Sequence, residues 1–290
     1  MSSYKAGLAD PLPAAVWLED GRGGRVAFAA YPAPRPWLHL LISHGYGEHM
    51  GWYDHVARTL QAQGVSAYLF DHYHHGRSSG RPADVPDYAK LVDGLRLVLH
   101  QGVEPQRQPG APLALLGHSN GGLVSVLSVA ALPRGTFDAL VLCSPFLGFP
   151  PGLQRTMLPL VHLLARVIPR YRLPVNGLPQ LRTADRSIWP DYARDPLRFR
   201  GLSVRFVRAM MSALAQAWQA PTCQGLPLLL AFGDQDHVVD LPSALRWFER
   251  VESPDKALRP YPGLRHELFQ EAQWRDVLQD VIGWLRTRLG

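Results

Sequence analysis

Apolar residues fall into two alternating patterns along this chain. Short, nearly unbroken apolar runs occupy 37–43, 65–70, 112–116, 138–144, 226–232 and 257–261, as expected of strands buried on both faces of a sheet. Between them, 53–63, 87–101, 241–251 and 274–289 read as helices, and 122–131 is apolar enough for a buried one. Near the start, 15–19 and 25–31 flank Asp20-Gly21 and read as a hairpin. Strands alternating with helices specify an α/β fold with a mostly parallel central sheet and helices on both faces. Functional side chains then belong just beyond the carboxyl ends of the strands. The alternation breaks between 145 and 221, which is rich in Pro and Arg and holds no buried strand. The expected organisation is a core made of 1–144 and 222–290, interrupted by a helical cap insertion at 145–221.

One strand-to-helix junction carries chemistry. Gly117-His118-Ser119-Asn120-Gly121 has the form Gly-x-Ser-x-Gly, with the run 112–116 before it and the buried helix after it. Such a sharp turn lifts a serine hydroxyl above the sheet, and the flanking glycines relieve the crowding of its strained backbone. A serine hydroxyl is a weak nucleophile near neutral pH, so it needs a general base, and the base needs an orienting acid. With this kind of elbow the partners follow in the order Ser, Asp or Glu, His. Of the twelve histidines, only His162, His237 and His266 come after Ser119. His162 lies in the insertion with no strand before it. His237 abuts the candidate acids too closely to face them. His266 follows the run 257–261 through a short loop and is the expected base. The acid belongs after 226–232, where Asp234 and Asp236 both qualify; spacing alone does not separate them. Acyl transfer also needs two N–H donors for the oxyanion: that of Asn120, next to the serine, and that of Tyr46 in the loop 44–49 after the first parallel strand.

Composition narrows the setting. No stretch approaches about 18 uninterrupted apolar residues, and the N-terminus lacks an apolar signal core, so a cytoplasmic protein is expected. The two cysteines lie in unrelated settings and suggest neither disulfide nor zinc site. The net charge of +6 is unevenly placed: residues 144–221 hold eleven arginines, no lysine and three aspartates, a local +8 that leaves the remainder at −2. That concentration points away from nucleic acid and toward phosphate groups or an anionic lipid surface. The cluster His72, His74 and His75 beside Asp71 and His44 invites a metal reading, but adjacent histidines rarely converge on one ion. A solvated structural loop is expected there, and the site calls for no metal and no cofactor.

Three motifs together resemble the monoacylglycerol lipase and lysophospholipase group of α/β-hydrolases: His44-Gly45-Tyr46-Gly47-Glu48-His49, Gly117-His118-Ser119-Asn120-Gly121-Gly122, and Tyr261-Pro262-Gly263-Leu264-Arg265-His266. The turn Asp71-His72-Tyr73-His74-His75-Gly76-Arg77-Ser78 and the landmark Asp195-Pro196-Leu197 fit the same group, and the resemblance runs from about Val26 to the C-terminus. It implies a Ser119–Asp236–His266 triad, with Asp236 rather than Asp234 in the acid's place. It also implies Tyr46 and Asn120 as oxyanion donors and a helical cap over the site. The chain departs from the group at His74, where glycine is usual, and at Asn120, where methionine is frequent.

Within the insertion, Leu153, Met157, Leu160, Val161, Leu164, Val167 and Ile168 recur at helical spacing around Pro159, interrupted by Arg155, Arg166 and Arg170. An apolar face roofing a pocket and an apolar face meeting lipid both fit that pattern. Leu153, Met157, Leu160 and Arg205 are the expected substrate or cap contacts. Arg198, Arg200, Arg205 and Arg208 form a second basic stretch that a phosphate-bearing substrate would use. The reading is a serine carboxylester hydrolase for a monoacylglycerol or lysophospholipid, with peripheral membrane contact through the basic cap. A small-ester or thioester hydrolase, an acyltransferase, and a non-catalytic binding module are the alternatives.

Overall fold

The computed structural model describes residues 15–174, 178–219, 223 and 225–290, without the side chains of Pro151, Leu153, Gln154, Met157 and Leu158. Strand β1 (Val16–Glu19) turns back through Asp20 and Gly21 into β2 (Arg25–Tyr31), followed by β3 (Leu38–Ser43), helix α1 (Asp54–Ala62) and β4 (Val65–Phe70). Next come α2 (Ala89–Val98), β5 (Leu113–His118), α3 (Asn120–Ala131) and β6 (Ala139–Cys143). The segment between the sixth and ninth strands holds α4 (Pro151–Val167), the short β7 (Arg172–Leu173), α5 (Pro179–Arg182), α6 (Trp189–Arg194), the short β8 (Leu202–Ser203) and α7 (Val204–Gln219). The chain closes with β9 (Leu228–Gly233), α8 (Leu241–Arg250), β10 (Lys256–Tyr261) and α9 (Trp274–Leu289).

Eight strands form one sheet in the order β1-β2-β4-β3-β5-β6-β9-β10, and from β4 to β10 all neighbours run parallel. β2 runs antiparallel to both of its neighbours, β1 and β4. The central strands β3, β4, β5, β6 and β9 are buried along their whole length, which is why they appear as unbroken apolar runs rather than alternating ones. The sheet separates two apolar layers. One is built on α2, α3 and α8, the other on α1 and α9. Helix α7 joins the first layer through Phe206, Ala209, Met210 and Ala213. The last helix of the expected cap is thus also part of the main core.

The segment 145–221 holds no fully buried strand among the described residues; β7 and β8 are two residues each and pair with one another. One expectation changes in detail. Helix α2 ends earlier than 101 and passes into a wider π turn over Leu99–Val103. Pro159 sits inside α4, which stays helical from 151 to 167.

Candidate active site

The three motif loops leave the carboxyl ends of parallel strands β3, β5 and β10: Ser43 pairs with Gly117, and Tyr261 pairs with Gly233 at the end of β9. Ser119 takes φ 53° and ψ −119°, a left-handed conformation strained for any residue with a Cβ. Its neighbours must be glycine for want of space. A Cβ on Gly121 would lie 2.1 Å from the Ser43 carbonyl oxygen, and one on Gly117 would lie 2.4 Å from Ser125 Oγ and 2.6 Å from the Gly121 carbonyl. The elbow is further pinned by Ser119 N–H donating to Cys143 O and by Phe146 N–H donating to Ser119 O.

Ser119 Oγ lies 3.0 Å from His266 Nε2, and His266 Nδ1 lies 2.8 Å from Asp236 Oδ2. All three side chains are buried. With Nδ1–H donating to the carboxylate, Nε2 is left to accept the serine proton. The second oxygen of Asp236 accepts the N–H groups of Val238 and Val239. Burial alone would raise the Asp236 pKa, but His266 and these two donors outweigh it and hold the carboxyl below its ordinary value. Asp234, the competing candidate, is exposed, and its Oδ1 accepts the Gly263 N–H at 2.8 Å. It ties the β9 loop to the β10 loop and does not approach His266.

The first residue of α3, Asn120, places its N–H beside the serine, and Tyr46 lies in the facing loop. Neither N–H has a protein acceptor among the described residues. That loop is shaped by a buried carboxylate: Glu48 Oε2 accepts the Gly45 N–H at 3.0 Å and the Tyr53 hydroxyl at 2.9 Å. Glu48 Oε1 lies 3.5 Å from His118 Nε2, and the His118 ring sits 4.8 Å from the His266 ring. Burial works against charge on both partners, yet each overrides it for the other. Glu48 is held well below, and His118 above, its ordinary pKa. A buried ion pair therefore backs the His266 imidazole. Asn120 Oδ1 accepts the Tyr88 hydroxyl at 2.8 Å, which accommodates the polar side chain where methionine is frequent.

A second buried network ties 145–221 to these loops. Glu267, next to His266, receives Arg182 Nη1 at 2.8 Å and Arg198 Nη2 at 3.1 Å on Oε1, and the Tyr192 hydroxyl on Oε2. Asp195 Oδ2 receives His49 Nε2 at 2.7 Å and Trp52 Nε1 at 2.6 Å. The Arg198 guanidinium stacks on Trp52 and Tyr192. The sequence alone assigns no role to Glu48, His118, Arg182 or Glu267, although Glu48 and His118 lie inside the quoted motifs and Glu267 follows His266; Asp195 enters only as a landmark.

Other expectations turn out differently. The histidine cluster is not solvated: His44, His72 and His75 are buried and their rings pack edge to face. Burial lowers their basicity, His44 to about 3 and His75 to about 4, so they are neutral core side chains. His74 stands at φ 65° where glycine is usual. Among the described residues no group of His, Cys, Asp or Glu is arranged to hold a metal ion. Arg205 pairs with Asp84, its Nε 2.6 Å from Oδ1, so its charge is already engaged within the protein. Leu160 is exposed. The side chains of Leu153 and Met157 lie outside the described residues.

The chain is similar to known proteins. Residues 34–273 match the family model described as serine aminopeptidase, S33. The monoacylglycerol lipase of Mycolicibacterium smegmatis is 31% identical over 86% of this chain and 88% of its own, and the monoglyceride lipase of Mus musculus is 32% identical over 92% and 88%. A soluble variant of the Saccharomyces cerevisiae monoglyceride lipase, solved in complex with a substrate analog, superposes with a TM-score of 0.85 at 21% identity, over 99% of this chain and 98% of that one. The family's description names a peptidase while both relatives are lipases, so membership fixes the class of chemistry more tightly than the substrate. This chain belongs to the serine aminopeptidase S33 family, adopts the α/β-hydrolase fold and is a serine hydrolase.

Proposed function

We propose that this protein hydrolyses carboxylic esters of single-chain lipids, with Ser119 as nucleophile, His266 as base and acid, and Asp236 as the group that orients His266. The observation that carries the reading is the hydrogen-bonded chain from Asp236 through His266 to Ser119 Oγ. Ser119 Oγ attacks the ester carbonyl as its proton passes to His266 Nε2. The tetrahedral oxyanion is met by the N–H groups of Tyr46 and Asn120. Collapse expels the alcohol, which takes the proton from His266, and water then hydrolyses the acyl-enzyme with His266 as base. Throughout, Asp236 stabilises the imidazolium without itself being protonated.

A lipid rather than a small ester is favoured by residues 145–221, which we read as a cap. Leu160, Leu163, Val167, Ile168 and Tyr171 are exposed on one continuous stretch, 59% for Leu163 and 70% for Val167. Exposed Arg155, Arg166 and Arg170 accompany them. An apolar ridge set among cations suits a headgroup boundary, so the cap would rest on membrane and draw substrate from it. The lipases among the relatives support the same substrate class.

The test is fatty-acid release from a long-chain monoacylglycerol and from lysophosphatidylcholine, with Ser119→Ala as control. Serine-dependent release is expected. Wild-type activity restricted to short-chain esters would replace the lipid reading with a small-ester one. Activity surviving in Ser119→Ala would end the mechanism.

A further inference from the structure

Asn120 carries an oxyanion donor on its backbone and an acceptor on its side chain, and the two make opposite demands. The N–H must stay open for the developing oxyanion. An asparagine side-chain oxygen readily accepts the backbone N–H of its own residue or of one shortly after it. Asn120 opens α3, where the N–H groups of the first turn have no carbonyl partner inside the helix. A loose amide oxygen at this place would occupy a donor the reaction needs, or set its negative end against the oxyanion. Methionine, frequent at this position in the group the sequence resembles, has no such oxygen.

One hydroxyl meets that demand. Tyr88, the residue before α2, donates to Asn120 Oδ1 at 2.8 Å, with the Asn120 carbonyl oxygen as a weaker second acceptor at 3.3 Å. No backbone N–H among the described residues donates to Oδ1. The phenol is buried, and burial holds its pKa well above the ordinary value, so it keeps its proton and remains a donor. Its ring is confined as well. Phe206 of α7 lies 6.5 Å from it between ring centroids and packs on its other side 5.8 Å from the ring of Tyr46, the second oxyanion residue. The one atom of the Asn120 amide without a partner among the described residues is Nδ2, which is a donor and does not compete for an N–H.

We propose that Tyr88 is a positioning residue for the oxyanion hole. Its hydroxyl holds the Asn120 amide oxygen away from the start of α3 and so keeps the Asn120 N–H open to the reaction. The role rests on the reading of Ser119 as nucleophile and Asn120 as oxyanion donor given above. It exists because residue 120 is asparagine: with methionine there, the hydroxyl has no side-chain oxygen to restrain. That dependence separates it from a packing role, which a change at residue 120 would not relieve.

The test is steady-state hydrolysis of a chromogenic ester by wild type, Tyr88→Phe, and Tyr88→Phe combined with Asn120→Met, with thermal melting of each. Tyr88→Phe keeps the ring and removes only the O–H. Its kcat is expected to fall about tenfold, less than the roughly 10²–10³ for outright loss of an oxyanion donor, with KM changed by less than about threefold. Asn120→Met removes the loose oxygen and keeps the backbone N–H, so adding it to Tyr88→Phe should raise kcat again by about fivefold. The resulting pair is apolar and leaves no new buried polar atom, which favours folding of the double variant. A loss of less than about twofold in Tyr88→Phe, a loss confined to KM, or no recovery on adding Asn120→Met overturns the role. Ser119→Ala is assayed alongside. If it remains active, the reading of Ser119 fails and this role with it. If it is inactive while Tyr88→Phe matches wild type, only the positioning role fails.

Discussion

Replacing Asp236 by asparagine removes one negative charge and little else, since the two side chains have nearly the same shape. The charge matters because in the proposed mechanism His266 becomes an imidazolium as Ser119 attacks, with Nδ1 only 2.8 Å from the carboxylate and neither group solvated. Two unit charges at that distance, with an effective permittivity of about 20, attract by roughly 6 kcal/mol, an upper bound on the transition-state loss. The dipole of the asparagine amide returns part of that if its oxygen faces Nδ1. The net loss is then about 4–5 kcal/mol, or about 10³–10⁴ in kcat, the size found for the same change in a serine protease triad. Asp234→Asn is the matched control. Asp234 is exposed and its Oδ1 accepts the Gly263 N–H and the Gln235 side-chain amide, which an asparagine oxygen can also do, so turnover should stay within about twofold. The assay is steady-state hydrolysis of a chromogenic ester, with thermal melting to show that both variants fold. Retention of kcat within tenfold by Asp236→Asn, or a thousandfold loss in Asp234→Asn, would refute the assignment.

Arg205→Ala should destabilise without touching chemistry, because it strands the buried Asp84 carboxylate. About 2–3 kcal/mol is expected for breaking such a pair, seen as a fall of roughly 5 °C in Tm; no change would mean water reaches Asp84. Asp195 gives an acid-sensitive component of stability. Burial raises its pKa, but His49, Trp52 and the Leu197 N–H lower it to about 2. A depressed folded-state pKa stabilises above the unfolded value near 4 and is lost as pH falls toward 2, up to about 2 kcal/mol in all. Urea unfolding from pH 6 to pH 3 should therefore show a steeper acid loss in wild type than in Asp195→Asn, and parallel curves would exclude the role. Finally, Leu163→Asp with Val167→Asp should weaken sedimentation with anionic vesicles about tenfold or more, since each exposed apolar side chain that enters lipid contributes about 1–2 kcal/mol. Undiminished binding, or no vesicle binding by wild type, would refute the proposed contact through this ridge.

The sheet was legible because β3, β4, β5, β6 and β9 are buried on both faces, and that burial forces apolar runs no loop could afford. The elbow was legible for a local reason: Gly117 and Gly121 leave no room for a Cβ, so the motif is written in consecutive residues. The choice between Asp234 and Asp236 could not be made from spacing, because a turn decides it. Asp236 N–H bonds back to Gly233 O while Gln235 N–H bonds across to Leu264 O, and that geometry sends Asp236 inward and leaves Asp234 outside. The histidines of 72–75 were misjudged as solvated because loop polarity suggests water, whereas His72 finds its partner in Ser43, far away in sequence. Partners that distant leave no local mark.

The same limit explains why Arg198, Arg200, Arg205 and Arg208 were read as one basic stretch for a phosphate when the arginines of 145–221 divide by task. Arg182 and Arg198 face inward onto Glu267, Arg205 is spent on Asp84, and Arg155, Arg166 and Arg170 face solvent beside an apolar ridge. This division has a mechanical consequence. The inward pair and Asp195 hold the segment against His49, Trp52 and Glu267, the residues flanking the oxyanion loop and His266. A cap hinged freely over its site would have no reason to bury a carboxylate under two guanidiniums beside the catalytic base. Burying charge is expensive unless it is fully paired, so the pairing fixes the position of 182–198 more strictly than apolar contact alone could. If 145–221 is the cap proposed above, its movement at a lipid surface would be confined to α4, whose exposed apolar side chains carry no such ties.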